Sequence, residues 1–392
     1  MKKFGLILLL IFTISFMFYG CSSTPQKPTG DIIEDNTTEN DDNNNNDNDV
    51  DDNNEQGLNF YLLSDGNYAV SIGNARYLNT IEFPASYKSK PVTRIVSDEI
   101  DYSYNNNNAY ANIKEIKIPR GIKEIDNYSF VSCSGLIKIS IADSVTKIGD
   151  FAFAGCLSLV QITIPDSVIS ICSRAFCDCV NLKTITISDN LKYIGSECFI
   201  FCDNLTTTQS NWAQYIGSTT NPYFLLYEIS NKNLATYTIN SECRIIYSSA
   251  FRLCSNLTDI TIPKNITQIM DFAFAECSSL INVTFENDSS LKMIDKYCFY
   301  ACSALEKINL PNAITSISNY AFEYCAKLNI QLPTSINAIN EGTFSNCYDL
   351  RIILSNNIEH ICANNFNSEG TFGVGLNIEK HKANIFFTGT QN

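Results

Sequence analysis

The chain has 392 residues, 45% of them hydrophobic, with 41 acidic side chains against 27 basic ones and a formal charge of -14. That length admits two or three ordinary domains. The charge excludes the basic stripe that phosphate neutralisation requires, so nucleic acid is not an expected partner.

Lys2 and Lys3 precede an uncharged apolar stretch from Phe4 to Tyr19. This is the build of a secretory signal and is short of the roughly 20 apolar residues that span a bilayer. Residues 1–20 are therefore read as a signal peptide, with the mature chain beginning near Cys21. Phe18-Tyr19-Gly20-Cys21 resembles the lipobox of bacterial lipoproteins, whose cysteine is lipidated and becomes the new N-terminus. Gly20 and Cys21 match that pattern, while Phe18 and Tyr19 replace an aliphatic and a small residue. The resemblance implies lipidation of Cys21 and an exported, membrane-anchored lipoprotein; the alternative is an ordinary cleaved signal that leaves a free cysteine.

Residues 21–56 read as a tether. Between Asp31 and Glu55 they hold eleven acids, no base and a run of asparagines, with little to bury. The string lacks the glycine and the spaced glutamate of a calcium loop. A flexible coil of this length spans roughly 30 Å, enough to hold a folded body clear of a membrane. Once the signal and tether are set aside, the rest of the chain is only mildly acidic.

Residues 57–111 read as an N-terminal cap with a degenerate first coil. Strands are expected at Phe60 to Leu63 and Tyr68 to Ile72, and Ile81-Glu82-Phe83-Pro84 with Val92 and Ile95 is the coil. From 112 to 366 one template repeats. Phenylalanine recurs at Phe130, Phe153, Phe176 and Phe199, then at Phe251, Phe274, Phe299, Phe322, Phe344 and Phe366, in steps of 22, 23 or 25 residues apart from one of 52. Before Phe176 the template reads Leu159-x-x-Ile162-x-Ile164-Pro165-x-x-Val168-x-x-Ile171-x-x-x-Ala175. The Ile-x-Ile alternation predicts a short half-buried strand, and the proline ends it for want of an amide hydrogen. Val168 and Ile171 predict a second arm, closed by Ala-Phe. So short a unit cannot bury its own apolar groups, and the coils must stack into a solenoid.

The 52-residue step predicts an enlarged coil at about 200–228, carrying Trp212 and Asn221-Pro222-Tyr223 and bulging from the stack. Residues 367–392, with Ile385-Phe386-Phe387, are read as a C-terminal cap. Taken together, L-x-x-I-x-I-P followed by V-x-x-I-x-x-x-A-F-x-x-C resembles the BspA-type leucine-rich repeat over about residues 58–366. Asn221-Pro222-Tyr223 and the stretch from Phe83 to Tyr87 are also similar to that family. The resemblance implies a leucine-rich repeat solenoid, a β-rich right-handed superhelix with short parallel strands and coils of about 22–25 residues. It also implies a bacterial surface protein that binds other proteins, such as those of a host matrix or another cell surface, without catalysis. No binding residue carries over, because the motif residues are buried framework.

Sixteen cysteines invite a disulfide or metal reading, but nine of them fall three residues after a repeat phenylalanine. That register predicts free thiols in a buried corner, since parallel side chains about 4.8 Å apart would have to draw together to bridge. Cys177-x-Cys179 and Cys198-x-x-x-Cys202 are the best metal-like spacings, and the ladder already explains Cys179 and Cys202; no metal or other cofactor is expected. His360 and His381 are the only histidines, and no phosphate loop or nucleophile elbow appears, so no catalytic residue is assigned.

The residues between the buried ones of the first strand, such as Gln161, Thr163, Thr184 and Thr186, predict a polar sheet face with few acids. That argues against the competing reading, a carbohydrate-active enzyme with clustered carboxylates. Two residues before the phenylalanine, Tyr128 and Phe151 are neighbours, and Phe272, Tyr297 and Tyr320 occupy three consecutive coils. These three, with Trp212 and Tyr223, are the candidate binding residues; mutual stacking over the coil corners is the alternative for the strip. A structural surface antigen with no fixed ligand is the third reading.

Overall fold

The computed structural model describes residues 56–98, 110–355, 357–362 and 364–365, with the strand backbones at 32–33 and 386–388. Cys21, residues 1–20, Phe366, His381 and nearly all of 367–392 lie outside these.

Each coil carries one strand on each of two arms. On the first arm the inward aliphatic side chains align rung on rung: Ile116 with Ile139, Ile162 with Ile185, and Ile260 with Val283. On the second arm Ile125, Ile148, Ile171 and Ile194 form one parallel row, and Ile246, Ile269, Ile294 and Ile317 another. The strands are only two to four residues long in the regular coils because Pro165, Pro263 and Pro311 stop the first arm. Their carbonyls then take the amides of Val168, Ile266 and Ile314 at 3.0–3.1 Å, which turns the chain toward the second arm. The result is a parallel-strand β-solenoid of about 12 turns with roughly 23 residues per turn.

The repeat phenylalanines lie one over another inside it. Ring centroids along Phe130, Phe153, Phe176 and Phe199 are 5.3, 5.3 and 5.9 Å apart, and all four rings are buried. Offset stacking adds to the burial of each ring against the next.

The Ala-Phe corner has a backbone device that the template does not display. The residues two before and two after each phenylalanine are left-handed, as at Phe151 (φ 54°) and Gly155 (φ 72°), Arg174 (54°) and Asp178 (57°), and Tyr320 (59°) and Tyr324 (60°). This region costs a non-glycine residue roughly 1–2 kcal/mol. In return three amides per corner point along the solenoid axis. Those of Phe151, Phe153 and Gly155 donate to the carbonyls of Ser173, Ala175 and Cys177 at 2.8–3.1 Å, and the pattern recurs from coil to coil. The bonds offset the dihedral cost, and they exist only when the next coil is present.

Ahead of the regular coils stands a hairpin, Asn59–Leu63 with Tyr68–Ser71, whose second strand runs parallel to Lys90–Ile95. Within the stretch read as tether, the strand Ile32–Ile33 pairs antiparallel with Leu62 and Leu63. The open edge of that hairpin accepts the one β-branched apolar pair that the acidic stretch contains.

The enlarged coil does more than bulge: both sheets break there. Thr208 and Ser210 stand where one coil earlier Ile185 and Ile187 are buried, so the strand Thr208–Ser210 has no inward apolar face. It turns back through Asn211 (φ 48°) and Trp212 (φ 67°), a two-residue hairpin of the primed type. The antiparallel meander Thr208–Ser210, Ala213–Ile216, Leu225–Ile229 then leads in parallel into Ile245–Ile246.

This wall separates two apolar cores. Ile216, Phe224, Leu225, Ile245, Tyr247 and Met270 pack with the first half, whereas Ala213, Tyr215, Leu226 and Ile229 pack with the second. At the seam side chains replace the missing coil. The Gln268 carboxamide accepts from the Ile194 amide (3.4 Å) and donates to the Ile194 carbonyl (2.8 Å), and the Phe199 amide donates to the Tyr247 hydroxyl (2.7 Å).

Candidate binding surface

Phe272, Tyr297 and Tyr320 come together as a continuous stack, with centroids 4.8 and 5.1 Å apart and planes within 10° of parallel. The Arg252 guanidinium covers one end, 5.8 Å from the Phe272 ring, and the Tyr320 hydroxyl donates to Glu341 at 3.0 Å. All three rings are half-buried. Burial, and then the bond to the Glu341 carboxylate, push the Tyr320 hydroxyl up to about 12. The three rings thus stack on one another and stay partly exposed. Tyr128 with Phe151, at 5.1 Å, is the same arrangement in the first half, capped by Arg174.

Gly342 occupies the strip position of the next coil, and the Tyr320 ring lies against it; a Cβ there would be driven into the ring. Since its φ is +60°, Gly342→Ala is expected to cost about 1–3 kcal/mol, the left-handed penalty plus displacement of the ring. Urea unfolding checks it, and a loss below about 0.5 kcal/mol would show that the stack yields freely.

Trp212 is placed differently. Its side chain is 59% exposed at the hairpin tip and touches no other ring among the described residues. Its backbone is nonetheless held, because its carbonyl accepts from both the amide and the hydroxyl of Ser230, each at 2.9 Å. Tyr223 does not join it. Its ring is half-buried and packs edge-on against the buried Tyr215 at 5.5 Å, so it supports the meander from within.

Sequence reasoning missed Tyr300 and Tyr324, which pack edge-on to each other at 5.6 Å and extend the strip sideways from Tyr297. They stand one and two residues after their phenylalanines, off the offset that reveals the strip.

The ladder cysteines are free and buried, with a use beyond filling space. Where a regular coil follows, the phenylalanine carbonyl accepts a thiol bond as well as an amide bond, as Phe153 does from the Cys156 amide (3.3 Å) and from the Cys179 thiol of the next coil (3.2 Å). The same thiol bond recurs from Cys202 to Phe176, Cys277 to Phe251 and Cys325 to Phe299, each at 3.1 Å. Cys177 donates to the Asp178 carboxylate instead. Among the described residues no group of three or more His, Cys, Asp or Glu side chains is placed to hold a metal ion.

Burial raises the thiols of Cys254 and Cys347 to about 12 from an ordinary 9.0, and pushes those of Cys156, Cys302 and Cys325 up as well. A thiol that stays protonated when folded but ionises when unfolded gives stability that is complete below the unfolded pKa and is lost as pH rises toward the folded one. Stability is therefore expected to fall from about pH 9 upward, by up to about 1.4 kcal/mol per pH unit for each such thiol. Unfolding midpoints measured across that range check it; a flat profile would refute it.

The first-arm face is polar. Ion pairs cross its rungs in the first half, Lys117 to Glu82 and Lys138 to Glu115, all on partly or well exposed side chains, so each adds little stability. Toward the seam the face passes into Gln161, Thr163, Thr184 and Thr186.

Stacked leucine-rich coils, buried framework and a polar outer face define a leucine-rich repeat solenoid. The family model of the BspA type leucine rich repeat region matches with six copies, over residues 102–220, 226–351 and 284–385, and the chain belongs to that family. Among solved structures, a leucine rich cell surface protein from Faecalibacterium prausnitzii A2-165 is 24% identical over 76% of this chain and 93% of its own, with a TM-score of 0.37. A leucine-rich repeat protein from Bacteroides ovatus is 23% identical over 78% and 93%, with a TM-score of 0.36. The pneumococcal vaccine antigen PcpA is 20% identical over 78% and 85%, with a TM-score of 0.35. No curated protein matches the sequence.

Proposed function

We propose that the protein is an exported lipoprotein, anchored through Cys21 at the bacterial surface, whose solenoid binds a protein of a host matrix or of another cell surface and catalyses no reaction. The leader-like first 20 residues, the cysteine that follows them and the acidic stretch to residue 56 support the anchoring half. Membership of the repeat family supports the binding half.

The observation that carries the binding reading is Trp212, an exposed indole on a backbone fixed at both hairpin positions and by Ser230. A large amphipathic side chain held in place loses little entropy on contact, which is why tryptophan recurs among interface residues that dominate affinity. Trp212→Ala is expected to weaken binding by at least about 2 kcal/mol, roughly 30-fold, while leaving the unfolding midpoint unchanged. The measurement is capture of the soluble domain on a panel of immobilised matrix proteins; undiminished capture by the variant rejects the anchor. The mass of the mature N-terminal peptide tests the other half, since a Cys21 without acyl chains ends the lipoprotein reading.

A further inference from the structure

Twice along the Ala-Phe corners an arginine completes a set formed with an aromatic ring and a glutamate. The Arg174 guanidinium lies 5.6 Å from the Phe151 ring and pairs with Glu197, and that of Arg252 lies 5.8 Å from the Phe272 ring and bonds Glu276 at 2.8 and 3.0 Å. Both glutamates stand one coil beyond their arginine. Two coils further on, the rings and the glutamate recur without the arginine. Glu323 stands one coil beyond Tyr297 and Tyr300, and Tyr300 holds the place directly after its phenylalanine that Arg252 holds after Phe251. The Glu323 carboxylate accepts one bond, from the Asn346 carboxamide at 3.3 Å, and among the described residues no basic side chain pairs with it. Burial accordingly pushes its carboxyl above the usual glutamate range.

Tyrosine rings surround that carboxylate. Burial, and then the Glu323 charge, raise the hydroxyls of Tyr297 and Tyr300, which places the carboxylate beside both. The Tyr300 ring stands at 75° to Tyr297 (6.0 Å) and at 85° to Tyr324 (5.6 Å), so the group offers ring faces in two directions, and Tyr324 is 40% exposed. We propose that Glu323, with Tyr297, Tyr300 and Tyr324, receives an arginine side chain of the protein partner. The guanidinium fork supplies the cation that the carboxylate lacks, and its flat face lies on a tyrosine as those of Arg174 and Arg252 lie on their rings. A lysine ammonium brings the charge without the flat face and completes only half of the pattern. The site does not include Trp212, and it rests on the protein-binding reading.

The test is amide-resolved NMR of the mature protein titrated with acetyl-glycyl-arginyl-glycine amide, against the same peptide carrying lysine or citrulline, the uncharged counterpart of arginine. The expected result is a saturable shift of the Ala301, Glu323 and Tyr324 amides with the arginine peptide, at least roughly threefold weaker binding of the lysine peptide, and no response to citrulline. Glu323→Gln keeps the side-chain bulk and an acceptor for Asn346, and is expected to weaken the arginine peptide at least roughly tenfold at an unchanged melting temperature. The peptide comparison on the parent stands on its own if that variant folds poorly. No shift at these amides overturns the proposal, as does an equal response to the lysine peptide or undiminished binding by Glu323→Gln. Each of these leaves the protein-binding reading standing, because capture on matrix proteins decides that one separately.

Discussion

Phe176→Ala is expected to lower stability by about 3–5 kcal/mol, in the upper range for a core truncation. Phe176 is fully buried and stacked on both sides, by Phe153 at 5.3 Å and Phe199 at 5.9 Å. The residues around it cannot close the void, because the coil is clamped at that point. The Phe176 amide donates to Cys198 at 3.0 Å, and its carbonyl takes the Cys202 thiol at 3.1 Å. Both tie it to the next coil and hold the backbone where it is. Since each coil is stable only against its neighbours, the loss spreads through the first half instead of remaining local. Denaturant unfolding followed by circular dichroism measures it, and a loss below about 1 kcal/mol would mean that the stack is not what holds the coils.

Gln268→Leu is expected to do comparable damage by a different route. Its carboxamide bonds both the amide and the carbonyl of Ile194 on the seam side, and the site is buried. Leucine has similar bulk but leaves both groups without a bond, at about 1–3 kcal/mol each. The penalty falls on the contact between the two cores, not within either. Calorimetry of the variant is therefore expected to show two resolved transitions where the parent shows one. A single transition at an unchanged temperature would mean that Tyr247 and the apolar contacts close the seam unaided.

The coil itself was legible, because Leu159, Ile162, Ile164, Val168, Ile171 and Phe176 recur at one spacing and only stacking buries such a set. The left-handed corners were not. Their positions carry Phe151, Arg174, Ser249 and Tyr297 in place of the glycine or asparagine that marks such a turn, and there the amides bond to the next coil, which a single coil's sequence does not display. The insert's direction was written in Thr208 and Ser210, polar where the template is apolar, but a single strand does not reveal which partner it will take. Ile32 and Ile33 were submerged in the charge of their surroundings. On the surface, Phe272, Tyr297 and Tyr320 could be found because they share one offset. The packing of Tyr223 against Tyr215 was not legible, since it joins the loop before Leu225–Ile229 to the strand Ala213–Ile216.

The partition between the cores bears on how such a chain changes length over generations. One side of the meander closes the first run of turns and its other side opens the second, so neither run has to match the other in number. Duplication or deletion of a whole turn, by slippage in a gene of near-identical segments, leaves every amide along the axis with a receiver and the dividing wall untouched. Kindred sequences are expected to differ on either side of this insert by multiples of about 23 residues, and only rarely within it.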